Sequence, residues 1–452
     1  MKNILDVNKM LKNYYYNLLS KYISIYARSG DKVLFVEPQS KLILNKFSRK
    51  DVLIVTNSSE KFSGYKTVEN IGKIMPWEPD YIVLDGNLQR EKDIIEFLKE
   101  INSVCSSSTR VLLFYYSALW KPVAKLASML GLRQKIVREN WTTPEDISNF
   151  ARLTEFESVK RQPRILIPIE IPYLSEFVNR WLAPLPVFNL FSLLNFEILR
   201  SFAAPADESK DNSVSVIIPV RNEAGNIEEA FKRTLMMGPA DEWIFVEGNS
   251  TDNTWKELQR CRDKYTKSDS RNIKITKQDG KGKKDAVYKG FSMAKNNILM
   301  ILDGDLTVPP EDLPKFHNAL VSNKGEFING CRLVYALESD AMRFLNMIAN
   351  KFFAFSFSYV LSQNLRDTLC GTKVFTRTTY DKIQANRNFF GDFDPFGDFD
   401  LIFGADRLGL KIVEVPVRYQ SRTYGETNIS RFRHGWLLMK MLLFVSRKLK
   451  FV

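Results

Sequence analysis

Twice along this chain, short apolar runs rich in β-branched residues alternate with segments that are apolar at helical spacing. KVLFVEP, DVLIVTN, YIVLDG and RVLLFYY fall between residues 31 and 138, and REKDIIEFLKEIN separates the third from the fourth. Such runs read as strands buried on both faces, and helical segments between them imply βαβ units with a parallel sheet. Residues 151–200, aromatic and punctuated by Pro, support no assignment. The run AAPADESKDN at 203–212 is small, polar and charged, and reads as a linker. Beyond it the alternation restarts with SVSVIIPV, a helix over 227–236, WIFVEG, a helix over 254–265, IKITKQ, a helix over 284–294 and ILMILDGD. The expected fold class is α/β in two domains with separate sheets: residues 1–200, a linker over 201–212, a second domain over 213–430, and a basic amphipathic helix over 431–452.

Size and composition agree. A chain of 452 residues exceeds one ordinary core, and 44% hydrophobic content is ample to order it. The 65 Lys+Arg against 52 Asp+Glu leave +13, which favours an anionic partner: nucleic acid, a phosphorylated substrate or an acidic membrane surface. No recognition helix, zinc spacing or RNP-like strand accompanies the charge, so nucleic acid is not expected. Cys105, Cys261, Cys331 and Cys370 lack CxxC spacing, and with two His residues a His/Cys metal site is not expected. A reduced, cytoplasmic setting follows. The N-terminus lacks an apolar signal region, and no apolar run reaches the roughly 18 residues of a spanning helix.

In ILMILDGDLTVPPED an apolar strand ends in Asp303-Gly304-Asp305. Two carboxylates at a strand's carboxyl end sit where open α/β sheets bind ligands, and hard oxygen donors suit Mg²⁺ or Mn²⁺. Taken alone the motif is equally an ordinary Asp-Gly turn. Three further loops accompany it: Pro219-Val220-Arg221-Asn222-Glu223 after one strand, Glu247 in IFVEGNSTDNT after the next, and the flexible basic Asp279-Gly280-Lys281-Gly282-Lys283-Lys284-Asp285 entering a helix, suited to phosphate.

In this order and spacing, PVRNE, EGNSTDNT, GKGKKDA and DGDLTVPPED resemble family 2 glycosyltransferases of the GT-A fold. GCRLV, DTLCGTKVF, FGDFDLIF and EVPVRYQSRTYGETNIS extend the resemblance toward the polyprenyl- or dolichyl-phosphate sugar transferase branch, over residues 213–430. The resemblance implies an inverting, metal-dependent transfer from a UDP- or GDP-sugar to a polyprenyl-phosphate-like or other acceptor. It places Pro219, Arg221, Glu223, Glu247, Lys281 and Asp303 at the donor and Asp303 and Asp305 at the metal. Asp398, Asp400, Arg332 and Arg422 fall at acceptor- and phosphate-facing positions, with Lys373 and Arg418 near them. Glu247 replaces the family's usual Asp. Thr307 stands where the branch often carries Gln, which leaves a third metal ligand unassigned. A hydroxyl acceptor would need a base, Asp398 or Asp400, whereas a lipid phosphate needs only orientation.

Residues 340–361 and 432–452 carry broad apolar faces with basic edges, the pattern of interfacial helices on an anionic leaflet; the first reads equally as a helix packed on the protein's own core, whereas the basic end SRKLKFV of the second leads to an expectation of peripheral membrane contact. His434 is expected to be structural or interfacial. Residues 15–172 resemble, more weakly, a class I S-adenosylmethionine-dependent methyltransferase. Where that family has a Gly-rich loop, KVLFVEPQSKLI has Glu37 and Pro38, and its second strand ends at Asn57 instead of an acid. A degenerate, non-catalytic Rossmann-like domain is expected, without S-adenosylmethionine; if binding survives, Glu37 and Asp85 are its positions. The competing readings are a bifunctional methyltransferase-glycosyltransferase and a non-enzymatic protein that binds anionic ligands.

Overall fold

The computed structural model describes residues 2–129, 139–202, 212–269, 271–335, 344–389, 397–425 and 431–452. The expected linker at 203–211, the start of the 340–361 segment and residues 426–430 of the last motif lie outside them. The chain divides into two units, one formed by 1–205 with 447–452 and one by 206–446.

In the first unit, β1 (Val33–Val36), β2 (Val52–Val55), β3 (Lys66–Val68), β4 (Tyr81–Asp85), β5 (Arg110–Tyr116), β6 (Phe156–Arg164) and β7 (Leu194–Ser201) form one sheet in the order β3-β2-β1-β4-β5-β7-β6. The first five are parallel, and β7 runs antiparallel to both its neighbours. Leu34, Leu53, Ile82, Leu84 and Leu113 are buried together, as continuous apolar strands covered on both faces require. Flanking helices start where their sequences provide caps. Asp93 accepts from the Ile95 and Glu96 N–H groups ahead of helix Ile94–Ser103, and Thr143 and Asp146 form a capping box on helix Pro144–Leu153.

The stretch that supported no assignment thus holds two strands. β6 is obscured by its charges, two of which, Lys160 and Arg164, the fold buries. Arg164 donates to the Leu449 and Lys450 carbonyls, and Arg200 of β7 lies 2.7 Å from Glu157. A register shift between Ser158 and Lys160 further breaks its alternation.

The second unit contains β8 (Val214–Val220), β9 (Glu242–Glu247), β10 (Asn272–Lys277), β11 (Ile298–Ile301), β12 (Phe327–Cys331), β13 (Lys373–Thr376) and β14 (Ile412–Pro416), ordered β10-β9-β8-β11-β13-β12-β14. β8 to β11 are parallel. β13 reverses between β11 and β12, and β14 is parallel to β12. The expected helices appear as Ala224–Arg233, Thr254–Asp269 and Lys283–Met293. Phe231 stacks on Phe245 with ring centroids 4.4 Å apart, fixing the first of them on the sheet. The FGDFD motif opens a helix: Asp398 and Asp400 lie in the first turn of helix Asp398–Arg407, after Gly397 at φ 78°. Carboxylates suit that position, since the N-terminal end of a helix is electropositive.

All four cysteines are free. Among the described residues, no helix is long and apolar enough to cross a membrane.

Candidate active site

Parallel pairing sets where the strands of the second unit end. Val220 pairs with Glu247, Glu247 with Lys277, and Ile301 with Ile217. The loops after β8, β9, β10 and β11 therefore open along one carboxyl edge, the side on which open α/β sheets take ligands.

At that edge the Leu302 N–H donates to Ile217 (3.0 Å), and the chain then turns, with the Leu306 N–H donating to Asp303 (3.2 Å). Gly304 lets the turn press against β8: a Cβ there would lie 2.6 Å from Val220 Cγ1 and 2.8 Å from the Pro219 carbonyl oxygen. Asp305 is oriented from within the turn, since its Oδ1 accepts from the Thr307 hydroxyl (2.8 Å) and N–H (3.2 Å).

Cations answer each of these acids. Lys283 Nζ lies 2.6 Å from Asp303 Oδ1 and 3.6 Å from Asp398 Oδ2. Fully buried Lys373 sits 3.1 Å from Asp398 Oδ1, and Lys284 lies 2.7 Å from Asp400. Gly371 leaves the space for this cluster, because a Cβ there would collide with the Asp303 carboxylate and the Lys283 ammonium. Burial works against the charge on both members of the Lys283–Asp303 pair. Asp303 and Asp398 nevertheless hold the ammonium above its ordinary range, and Lys283, Lys373 and Arg332 hold the Asp303 carboxyl below its own.

Arg422 bridges the turn to the loop after β8, 2.5 Å from Asp305 Oδ2 and 3.4 Å from Glu223 Oε1. Glu223 also accepts from the Asn226 amide at 2.6 Å, yet its burial pushes the carboxyl up to about 7. The loops after β8 and β9 interlock: the Asn222 N–H donates to Ser250 (3.0 Å), and Asn222 Oδ1 accepts from the Thr251 N–H (2.8 Å). Glu247, buried at the end of β9, accepts from the Ser250 N–H at 2.5 Å and so shapes this loop from below.

Arg332 and Asp367 form a bidentate pair, Nε to Oδ2 at 2.6 Å and Nη2 to Oδ1 at 2.8 Å, with the Arg332 N–H adding a third bond at 3.0 Å. Burial alone would raise the Asp367 carboxyl; Arg332 instead draws it down to about 2. The guanidinium also lies over the Tyr419 ring, 5.1 Å from its centroid.

Of the residues singled out by sequence, Asp303, Asp305, Asp398, Glu223 and Arg422 join one network of charges, and Arg332 adds its field to Asp303. Pro219 forms the wall behind Gly304. Arg221 and Lys281 are exposed, and Arg418 lies over Tyr335 at 5.5 Å. Sequence alone singles out neither Lys283 nor Asp367 within its motif. Lys283 differs from Lys281 only in being the first helical residue, and that places it against Asp303.

Among the described residues, no three His, Cys, Asp or Glu side chains cluster to hold a metal. The donor set is Asp303 with Asp305 on one turn. Two carboxylates fit a hard divalent cation that completes its shell with phosphate oxygens and water.

Residues 215–384 match the sequence model of Glycosyl transferase family 2. Dolichol-phosphate mannosyltransferase from Pyrococcus furiosus is 29% identical over 250 residues, 53% of this chain and 67% of that protein. Glycosyltransferase AglJ from Haloferax volcanii is 26% identical over 50% of this chain and 70% of its own. Undecaprenyl-phosphate 4-deoxy-4-formamido-L-arabinose transferase from Proteus mirabilis is 25% identical, covering 49% and 64%. The solved structure of glucosyl-3-phosphoglycerate synthase from Mycobacterium tuberculosis aligns with a TM-score of 0.39 at 17% identity, over 54% of this chain and 81% of that one. The chain therefore carries a family 2 glycosyltransferase domain in its second unit and is a glycosyltransferase.

Proposed function

We propose that the second unit, as a GT-A domain, transfers a sugar with inversion from a UDP- or GDP-sugar to a polyprenyl-phosphate-like acceptor. The observation that carries this reading is the gathering of Asp303, Asp305 and Asp398 with Lys283, Lys373 and Arg422 at one sheet edge. A bound Mg²⁺ or Mn²⁺ on Asp303 and Asp305 would neutralise charge that develops on the leaving diphosphate. Glu223, Glu247 and the loops they shape line the nucleotide side, and Arg221 and Lys281 are free to meet phosphate from solvent. Lys283 and Arg422, held beside the acids, supply positive charge without reorganisation at the moment of transfer.

Asp398 lies between two ammonium groups and Asp400 against a third, so both side chains are already engaged by cations. That suits an acceptor already ionised as a phosphate, which Lys373 and Arg332 would orient; Asp398 then serves to position Lys373 and Lys283, Asp400 positions Lys284, and Asp367 positions Arg332. The names of the dolichol- and undecaprenyl-phosphate relatives favour the same acceptor class.

Peripheral membrane contact by the second unit fits its exposed Ile348, Phe352 and Phe355, spaced on one face of helix Phe344–Leu361, and Trp436 on helix Arg431–Val445. The first unit is best read as a degenerate methyltransferase-like domain. Its parallel β3-β2-β1-β4-β5 order with a reversed β7 favours the ancestry. Glu37 favours the loss: at φ 46° after β1, it accepts from the Asn57 N–H (3.0 Å) and the Thr56 hydroxyl (3.3 Å), so the chain itself engages it.

Thermal shift with nucleoside diphosphates, with and without Mn²⁺, tests the reading in wild type and Asp303→Ala. Stabilisation by UDP or GDP that needs Mn²⁺ and disappears in Asp303→Ala is expected, together with loss of turnover. Full activity in that variant overturns the assignment, and stabilisation by S-adenosylmethionine overturns the view of the first unit.

A further inference from the structure

Between β6 and β7 the first unit has an inside-out segment. Two of its polar side chains are buried and in use: Asn179 Oδ1 accepts from the Leu166 and Ile167 N–H groups at 2.8 and 3.0 Å, and the Ser175 hydroxyl donates to Ile169 at 2.7 Å. Its large apolar side chains face water instead, among them Tyr173 (93% exposed), Phe177, Trp181, Phe188, Leu190 (69%) and Phe191. The segment is tied to helix Lys121–Met129, because Trp120 Nε1 donates to the Phe191 carbonyl at 2.9 Å. That helix buries none of its residues and exposes Val123, Leu126 and Met129 at three-residue spacing, with Leu119 just before it.

A patch of this extent on a soluble surface marks an interaction site. Its chemistry selects the occupant. The helix brings exposed Lys121 and Lys125 to the apolar face. On the other side Trp181 stacks on Phe451 at 5.6 Å, and the Arg180 Nε donates to the Phe451 carbonyl at 3.3 Å, which brings in exposed Arg447 and Lys448. These five basic groups outnumber the two acids of the segment, Glu170 and Glu176. Trp and Tyr beside an apolar face, rimmed by Lys and Arg, is the arrangement that enters the headgroup region of an anionic bilayer. We infer that the face formed by residues 119–129 and 169–191 of the first unit docks this chain onto an anionic lipid surface. The inference stands on the surface of the first unit alone and needs neither the transferase activity nor a lipid-linked acceptor.

Co-sedimentation of the full chain with vesicles free of polyprenol tests it, comparing phosphatidylcholine alone with phosphatidylcholine containing phosphatidylglycerol. Wild type is expected to sediment with the anionic vesicles, less so at high salt. Leu126→Glu with Leu190→Glu, both at exposed sites, is expected to weaken this about tenfold or more with the circular dichroism spectrum and melting midpoint unchanged. Wild type that stays in the supernatant with both vesicles overturns the inference, as does a double variant that sediments like wild type. A lipid-free wild-type dimer that becomes monomeric in the double variant also overturns it, making the face a protein interface.

Discussion

Lys283 stands between two carboxylates, its ammonium 2.6 Å from Asp303 Oδ1 and 3.6 Å from Asp398 Oδ2. It is thus the group through which the turn after β11 and the helix at Asp398 share charge. In Lys283→Met the two acids would face each other without it, and a fixed positive charge would be missing beside the leaving group. Turnover should fall about 10²-fold or more, as when one preorganised stabilising group is removed, with partial recovery in Lys283→Arg. Because Lys283 helps to hold the Asp303 carboxyl below its ordinary range, the acidic limb of the pH–rate profile should move to higher pH in Lys283→Met. Steady-state rates across pH measure both effects.

Thr307 takes the place where relatives of the polyprenyl-phosphate branch often have an amide, and it acts on Asp305 through a 2.8 Å hydroxyl bond. Thr307→Val keeps the shape and removes the hydroxyl bond, so Asp305, proposed above to hold a divalent cation, is oriented by the Thr307 N–H alone. Activation by Mn²⁺ should require about 10- to 100-fold more metal, the usual effect of removing a group that orients a ligand. The maximal rate at saturating metal should change much less, and a Mn²⁺ titration of turnover separates the two.

How far the sequence revealed this site follows from where each residue lies. Asp303, Glu247 and Glu223 were legible because each ends or follows an uninterrupted apolar strand, and strand ends in a parallel sheet converge. Asp398 and Asp400 were legible as acids, but their helix was hidden by glycine and aromatic residues of low helical preference. Lys283 and Lys281 could not be told apart, since a two-residue difference in helix start decides which ammonium reaches Asp303. β6 stayed hidden because the fold pairs Arg164 and Arg200 internally, and no local pattern announces a partner so distant in the chain.

Glu223 should give the site a pH dependence near neutrality. Burial raises its carboxyl from 4.5 in the unfolded chain to about 7. A carboxyl raised on folding contributes stability that is complete below its unfolded value and is lost as pH rises through its folded one. The melting temperature of wild type relative to Glu223→Gln should therefore decline between about pH 4.5 and 7 and level off above that. Above that range the ionised carboxylate also draws Arg422 from Asp305, so the pH dependence of nucleotide diphosphate affinity should flatten in Glu223→Gln. Melting curves and nucleotide titrations across this range, in both proteins, test the two effects.

Asp367 and Arg332 are the pair whose loss should be felt in the fold as well as in the site. Asp367 is fully buried and held at about 2 by the guanidinium, so its stabilising charge is present above its ordinary 3.8 and lost as pH falls toward about 2. Asp367→Ala removes the bidentate partner and leaves Arg332 largely desolvated, at a cost of about 3–5 kcal/mol. Replacing both residues, in Arg332→Met with Asp367→Leu, eliminates the stranded charge and should recover a large part of that stability. Activity should not return with it, because the positive field that Arg332 adds to Asp303 is gone. Denaturant unfolding and turnover measured on the same three proteins distinguish the contribution to folding from the contribution to transfer.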